Sequence, residues 1–166
     1  MSRTDPQKME AFKAYLEESK GKNPQWNAGQ LLDVLIRAVR PHRRRNVAYL
    51  GITAVDIYAK NYNFLFGCAS RKGCIISYRR FTANFNGETP NQKRLVKRTF
   101  MQCLSSIGHI YGIERCTNPR CARAYPNSLS EHDAKEGSLW EKCKNEFRKI
   151  FEQSPASDAL KTAPEE

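Results

Sequence analysis

Apolar residues recur along the chain with two different spacings, which predict a mixture of helices and short strands. Residues 5–20 carry apolar side chains at helical spacing, and a second set from Leu31 to Val39 predicts a helix capped by Asn27. The strongest helical pattern covers residues 91–113. We expect its buried face to be formed by the apolar residues Leu95, Val96, Phe100, Cys103, Leu104, Ile107 and Tyr111.

Short apolar runs bounded by turn residues predict three strands, at residues 47–53, 64–67 and 74–78. A loop over residues 114–137 precedes a last amphipathic helix over residues 139–151. Helices that flank a small sheet in this order predict an α+β fold, in a three-layer α/β/α arrangement.

The composition is that of an ordinary globular protein. The chain has 166 residues, of which 40% are hydrophobic and 27% charged, so collagen-like, low-complexity and coiled-coil classes are excluded as its main class. No apolar run is long enough to predict a membrane-spanning helix. We divide the chain into an N-terminal helical extension (residues 1–24), one main domain (residues 25–153) and a flexible tail (residues 154–166).

A large excess of positive charge favours polyanionic partners. The 28 Lys and Arg residues outnumber the 17 Asp and Glu residues, which gives a net charge of +11. This pattern fits either a solvated face or a surface that contacts RNA phosphates or an acidic protein, and no base-reading motif is visible. The candidate partner-binding residues are Arg40, Arg43, Arg44, Arg45, Arg94 and Arg98.

The six cysteines are expected to be mostly reduced. The segment Met1–Pro6 has no apolar core of the kind that a secretory leader carries, so we expect an intracellular protein, mitochondrial or cytoplasmic, without choosing between these compartments. Cys116 and Cys121, with four residues between them, are candidate metal ligands.

Several segments together resemble the archaemetzincin family of zinc metallopeptidases. They are Gln30–Leu35, Gly51–Tyr58 (Gly-Ile-Thr-Ala-Val-Asp-Ile-Tyr), Asn63–Ala69, Ser77–Arg80 and the long helix with the Cys-rich loop after it, and they span residues 25–150. The resemblance implies a metzincin-like small sheet, a long active-site-type helix and a C-terminal helix.

The family's catalytic signature, H-E-x-x-H-x-x-G-x-x-H, is substituted at most of its zinc-binding positions. Alignment on His109 and Gly112 places Ser105 and Arg115 where the family has its first and third histidines. A serine hydroxyl is a poor zinc ligand near neutral pH, and arginine carries a permanent positive charge. We therefore predict no catalytic residue and no metal here, but a vestigial site formed by Ser105, Ser106 (at the Glu position), His109, Arg115 and Arg123 (at the Met-turn position).

Two other interpretations of His109 stay open at this point. It could be a ligand of some other metal, or it could form a nucleophilic pair with Ser105, which lies one helical turn before it. No oriented acid partner or oxyanion hole is apparent from the sequence, so the spacing alone is weak support for such a pair.

The resemblance also implies a second, structural zinc bound by four cysteines, of which three remain. These are Cys116, Cys121 and Cys143, and Trp140 occupies the fourth position with the spacing one residue short. The three thiolates could hold zinc together with a water molecule or His132. Alternatively, Trp140 fills the former site as part of the core and the thiols behave as small apolar groups.

Taken together, the substitutions and the charge predict a catalytically inactive archaemetzincin-like protein. It would act as a structural or binding subunit of a larger protein or ribonucleoprotein assembly, such as a ribosome or a mitochondrial complex, with its basic surface contacting RNA or an acidic partner. The alternative is an unorthodox metallopeptidase that retains a modified metal site.

Overall fold

The structure is a computed structural model that describes residue 10, residues 25–42, residue 44 and residues 47–152. The predicted helix over residues 5–20 and the predicted tail over residues 154–166 therefore lie outside the described residues, apart from Glu10. Within the described residues, no helix combines the length and the apolar character that crossing a bilayer requires.

Six short strands form two three-stranded sheets. The strands are β1 (Gln25–Asn27), β2 (Leu50–Thr53), β3 (Asp56–Ala59), β4 (Tyr62–Leu65), β5 (Gly67–Ser70) and β6 (Gly73–Ser77). In the first sheet, with the order β1-β3-β4, β3 pairs with β1 in parallel and with β4 in antiparallel orientation. In the second sheet, with the order β2-β6-β5, β6 pairs with β2 in parallel and with β5 in antiparallel orientation.

Within the described residues from Gln25 onward, five helices surround these sheets. They are α1 (Ala28–Val39), α2 (Ala83–Asn86), α3 (Gln92–Ile110), α4 (Leu129–Asp133) and α5 (Glu141–Glu152), with 3-10 turns at Arg40–His42 and Arg79–Phe81. The predicted cap of α1 is confirmed, because the Asn27 side chain accepts a hydrogen bond of 3.1 Å from the backbone N–H of Gln30.

Strand β6 is buried along its whole length and separates two helices. Ile75 packs against Ala28 and Leu32 of α1, whereas Cys74 and Ile76 pack against the end of α3. Because successive residues of a strand point to opposite faces, α1 and α3 cover opposite faces of the second sheet. The predicted α+β fold with three layers is thereby confirmed.

Some strand boundaries differ from the prediction. The apolar run over residues 64–67 belongs to two strands, β4 and β5, which lie in different sheets. Strands β1 and β3 were not predicted, because each is only three or four residues long and Gln25 pairs with Asp56, far along the chain. Such pairing is set by tertiary contacts rather than by a local pattern.

The predicted buried face of the long helix is wrong at Phe100. Phe100 is 53% exposed, whereas Met101 is 1% exposed. The buried face of α3 is largely polar and consists of Arg98, Met101, Gln102, Ser105, Ser106, Gly108 and Ile110. The hydrophobic pattern did not predict this face, because polar side chains can be buried here when they find hydrogen-bond partners elsewhere in the fold.

Arg98 shows how a charge is accommodated on that face. Its guanidinium lies 2.6 Å from a carboxylate oxygen of Asp133 and 3.1 Å from one of Glu88, and it donates a hydrogen bond of 2.9 Å to the Phe81 carbonyl. These acceptors compensate for desolvation of the charge. The prediction that Arg98 contacts a partner is wrong, because its side chain is only 2% exposed.

Candidate metal centre and cleft

The residues of the predicted vestigial site lie along the last turns of α3 and the loop after it. Ser105 is buried, and its hydroxyl accepts a hydrogen bond of 2.9 Å from Nη1 of Arg115. The guanidinium of Arg115 also lies over the Tyr125 ring, 5.1 Å from its centroid. Ser106 accepts a hydrogen bond of 3.3 Å from the Gln102 side chain. The structure therefore brings Ser105 and Arg115 into direct contact.

These side chains do not form a set of zinc ligands. His109 is solvent-exposed, and the two positions that would complement it carry a hydroxyl and a guanidinium that are hydrogen-bonded to each other. Zinc sites in proteins are built from thiolate, imidazole and carboxylate groups. The helix site thus fails the chemical requirements for zinc.

The electrostatic environment of His109 is positive. Although His109 is exposed overall, partial desolvation of its imidazole lowers its pKa, and the nearby charges of Arg123, Arg115 and Arg71 lower it further. The Arg71 guanidinium lies against Gly112, at the position that a Cβ atom would take. Three guanidinium groups around one imidazole make this place better suited to receive an anion than a cation.

Arg123, at the predicted Met-turn position, is buried beneath α3. Its Nε donates a hydrogen bond of 2.9 Å to the Ile113 carbonyl, and its side chain packs against Gly108. Its Nη1 has no hydrogen-bond partner among the described residues. Burial, followed by the charge of Arg115, lowers the pKa of Arg123 to about 10.

The three remaining cysteines of the predicted zinc site do converge. The sulfur atoms of Cys116, Cys121 and Cys143 all lie within 4.8 Å of one another, and those of Cys121 and Cys143 are 3.9 Å apart. Among the described residues, this is the one group of three or more His, Cys, Asp or Glu side chains that is arranged to hold a metal ion.

Backbone donors favour the thiolate form of Cys121. Its sulfur accepts hydrogen bonds from the N–H groups of Trp140, at 3.2 Å, and Arg123, at 3.3 Å. Burial opposes ionisation, but these hydrogen bonds outweigh it and lower the pKa of the Cys121 thiol. Burial and the neighbouring thiols raise the pKa of Cys143. A divalent cation bound by the cluster would favour the thiolate form of all three sulfur atoms.

Two details of the predicted site are corrected by the structure. His132 is not a fourth ligand, because its ring packs between Phe81 and Phe66, with centroids 4.8 and 5.4 Å away, and it is not part of the thiol cluster. Trp140 does not fill the former site as core, since its side chain is 47% exposed. Only the backbone N–H of Trp140 reaches the cluster. The fourth coordination position is therefore not supplied by either residue.

A cleft of about 290 Å³ lies beside the helix site. One wall is β4 with the residues next to it, the floor includes Gln102 of α3, and the other wall is the loop that carries Arg115, Tyr125 and Asn127. Sequence reasoning identified Arg115 through the family signature. It missed Tyr125 and Asn127, because no local pattern marks loop residues that approach a distant strand.

The predicted partner-binding arginines are spread over several parts of the molecule. Arg40 and Arg44 are exposed, and Arg94 pairs with Glu88 at 3.1 Å on the surface of α3. Arg43 and Arg45 lie outside the described residues. The structure does not test whether these five arginines contact a partner, so their partner-binding role stays a prediction.

Comparison with known proteins gives a consistent family match. The model of Peptidase family M54 matches residues 25–149. An archaemetzincin of Pyrococcus furiosus is 37% identical over 109 residues, which cover 64% of this chain and 55% of that protein. The chain spans about half the length of the curated relatives that it matches.

Solved structures share the fold. The crystal structure of an archaemetzincin from Methanopyrus kandleri superimposes with a TM-score of 0.71 at 20% identity, covering 92% of each chain. A zinc-dependent peptidase from Methanocorpusculum labreanum superimposes with a TM-score of 0.68 at 24% identity, covering 82% of this chain and 88% of that chain.

These comparisons contradict the prediction of a catalytically inactive structural subunit. The matched model is that of a peptidase family, and the related chains are named as archaemetzincins or as a zinc-dependent peptidase. None of these relatives is described as a component of a ribonucleoprotein or mitochondrial complex, so a role in RNA binding finds no support. The prediction that zinc is absent from the chemistry also lacks support, since the cysteine cluster is a candidate metal site.

Proposed function

Since this chain belongs to peptidase family M54, we propose that it is a zinc-dependent peptidase with a modified metal site, held by Cys116, Cys121 and Cys143. The observation that supports the proposal is the convergence of these three sulfur atoms within 4.8 Å of one another. Catalytic zinc sites use three protein ligands and leave the fourth position to water or substrate, so a three-thiol set matches them in ligand number.

The donor set fits zinc chemically. Thiolates are preferred zinc ligands, and the backbone N–H groups of Arg123 and Trp140 already stabilise negative charge on Cys121. When bound, zinc in a three-ligand site supplies a Lewis acid that lowers the pKa of a coordinated water molecule.

The cluster is coupled to the cleft through the chain itself. Cys116 directly follows Arg115, and its N–H donates a hydrogen bond of 3.3 Å to the carbonyl of Arg123. Lys135 is buried on the other side of this loop and donates hydrogen bonds to the carbonyls of Ala122, at 3.3 Å, and Ala124, at 2.8 Å. A metal bound by the cysteines would therefore fix the loop that presents Arg115 to a peptide in the cleft.

The experiment combines metal analysis with an activity assay on the full chain. Zinc is measured by mass spectrometry of the purified protein, and hydrolysis is followed with a library of quenched fluorescent peptides. We expect one zinc per chain and hydrolysis that a chelator abolishes and added zinc restores. The Cys121→Ser variant should lose both zinc and activity, because a serine hydroxyl, which is a poor zinc ligand near neutral pH, replaces one of the three thiols.

Cys68→Ser is the matched control, because Cys68 is a half-buried thiol in β5, outside the cluster. It should keep both zinc and activity. Zinc binding that survives Cys121→Ser would contradict the proposed metal site. A zinc-loaded chain that cleaves no peptide of the library would contradict the proposed peptidase activity while leaving the metal site in place.

A further inference from the structure

The cleft beside the helix site has an unusual charge distribution. Arg115 is the single charged residue among the described residues that line it; the others are aromatic, aliphatic or carry neutral amide groups. Among the described residues, no carboxylate pairs with Arg115, whereas Arg80, Arg94 and Arg98 each have an acidic partner within 3.1 Å. The positive charge that faces the cleft is therefore uncompensated.

Other positive charges lie near Arg115 and add to the positive potential of this region. The charges of Arg123, Arg115 and Arg71 all act on His109, and those of Arg115 and Arg123 act on the buried Lys135. A negative group in the cleft would relieve this mutual repulsion.

The geometry of Arg115 suits a carboxylate. Its guanidinium donates a hydrogen bond to Ser105 and lies over the Tyr125 ring, and both contacts restrict its position. A guanidinium has five N–H donors in a planar fork, so the bond to Ser105 leaves donors for a second acceptor. A fixed guanidinium and a carboxylate form paired, charge-assisted hydrogen bonds.

The rest of the cleft suits a short peptide better than a nucleic acid. Its volume of about 290 Å³ has room for only a few residues, and the amide side chains of Asn63, Gln102 and Asn127 can exchange hydrogen bonds with peptide groups. Binding to a nucleic-acid backbone uses several cations along an extended track, and this cleft offers one.

We propose that the cleft binds the carboxylate of a peptide at Arg115, so that the substrate class is peptides with a free C-terminal carboxylate or an acidic side chain. This proposal rests on the proposed function only for the assignment of peptides as substrates. Binding itself requires the cleft, Arg115 and its contacts with Ser105 and Tyr125.

The test measures the affinity of labelled short peptides for the zinc-loaded full chain by fluorescence anisotropy. One pair of peptides differs in a free or an amidated C-terminus, and a second pair differs in an internal Glu or Gln. We expect neutralisation of the recognised carboxylate to weaken binding by about tenfold or more, the usual effect of losing a hydrogen bond to a charged group. The first pair reports a terminal carboxylate and the second a side chain.

Variants of Arg115 then test whether this residue contacts the peptide carboxylate. Arg115→Gln should remove the difference between the charged and neutral peptides, and Arg115→Lys should restore part of it through its charge. Arg94→Gln is the control, because Arg94 is an exposed arginine of α3 that does not line the cleft. It should leave the difference unchanged, and zinc content should be the same in all three variants.

Equal affinity for both members of each peptide pair would overturn the proposal. This comparison uses only the unmodified protein, so it does not depend on a variant that could misfold. An equal loss of selectivity in Arg94→Gln, or tighter binding of a single-stranded oligonucleotide that Arg115→Gln abolishes, would also overturn it. Carboxylate-dependent binding without any peptide hydrolysis would leave this proposal standing and contradict only the peptidase activity.

Discussion

The guanidinium of Arg115 donates a 2.9 Å hydrogen bond to the hydroxyl of Ser105, ten residues earlier in the chain. These are the two positions at which the family signature has its first and third histidines. One hydrogen bond joins the two side chains, and neither offers zinc a ligand at neutral pH. Cys116 and Cys121 of the following loop converge with Cys143 of α5, which gives the chain a candidate metal site at a different place.

The buried face of α3 can be tested with two adjacent residues. Met101→Ala should lower the free energy of unfolding by about 2–5 kcal/mol, because it leaves a cavity at a side chain that is 1% exposed. Phe100→Ala should lower it by less than about 1 kcal/mol, because that ring is largely in solvent. Urea denaturation of both variants gives the comparison. A larger loss at Phe100 than at Met101 would mean that the helix is rotated relative to this description.

Gly108 is expected to be intolerant of a side chain because Arg123 lies against it. A Cβ atom at Gly108 would approach Cδ of Arg123 to 2.7 Å, and the hydrogen bond to Ile113 prevents that side chain from moving away. Gly108→Ala should therefore destabilise the fold by about 1–3 kcal/mol.

The cause of this intolerance is tested by a double-mutant cycle. In an Arg123→Ala background, the added methyl group no longer meets Arg123 and keeps only an ordinary contact with Phe147 at 3.5 Å, so the penalty of Gly108→Ala should fall by about 1 kcal/mol or more. Thermal or urea denaturation of the four proteins measures the coupling. Strict additivity of the two substitutions would show that Arg123 does not occupy the space over Gly108.

The buried His132 predicts a pH dependence of stability. Its two ring nitrogens have no hydrogen-bond partner among the described residues, and burial, with the charge of Lys135, lowers its pKa from 6.5 to about 4. Between these values the unfolded chain binds more protons than the folded chain, so stability falls as the pH decreases from about 6.5 to about 4. The loss is about 2–3 kcal/mol.

Replacement of His132 by phenylalanine isolates this contribution. The new ring can pack between Phe66 and Phe81, and it cannot bind a proton. The His132→Phe variant should lose most of the decline in stability over this pH range, measured by urea denaturation at several pH values. His109→Gln should keep most of it, because His109 is exposed. An unchanged pH profile in His132→Phe would show that other groups cause the decline.

Local patterns in the sequence predicted the parts of the fold that depend on local interactions. Helix α1 could be predicted because Asn27 caps it and its apolar residues face one side. The long helix was predicted in extent but not in orientation. Arg98 is tolerated on the buried side because Asp133, 35 residues away, accepts its hydrogen bonds, and no local pattern reveals that pairing.

The candidate site, like the fold, could be predicted only in part. The thiol cluster could be predicted, because the resemblance to the archaemetzincin family marks Cys116, Cys121 and Cys143 as the three remaining cysteines of a structural zinc site, and their sulfur atoms do converge. The exclusion of Trp140 from the core and of His132 from the cluster could not be predicted. Both depend on how the loop over residues 114–140 packs against the rest of the fold.

The most direct test of where the metal lies is X-ray absorption spectroscopy of the zinc-loaded chain. If the cysteine cluster holds the ion, the spectrum will show a shell dominated by about three sulfur atoms at about 2.3 Å, and this shell will be lost in Cys121→Ser. A first shell of nitrogen atoms at about 2.0–2.1 Å, retained in Cys121→Ser and lost in His109→Gln, would place the zinc at the helix and contradict the account.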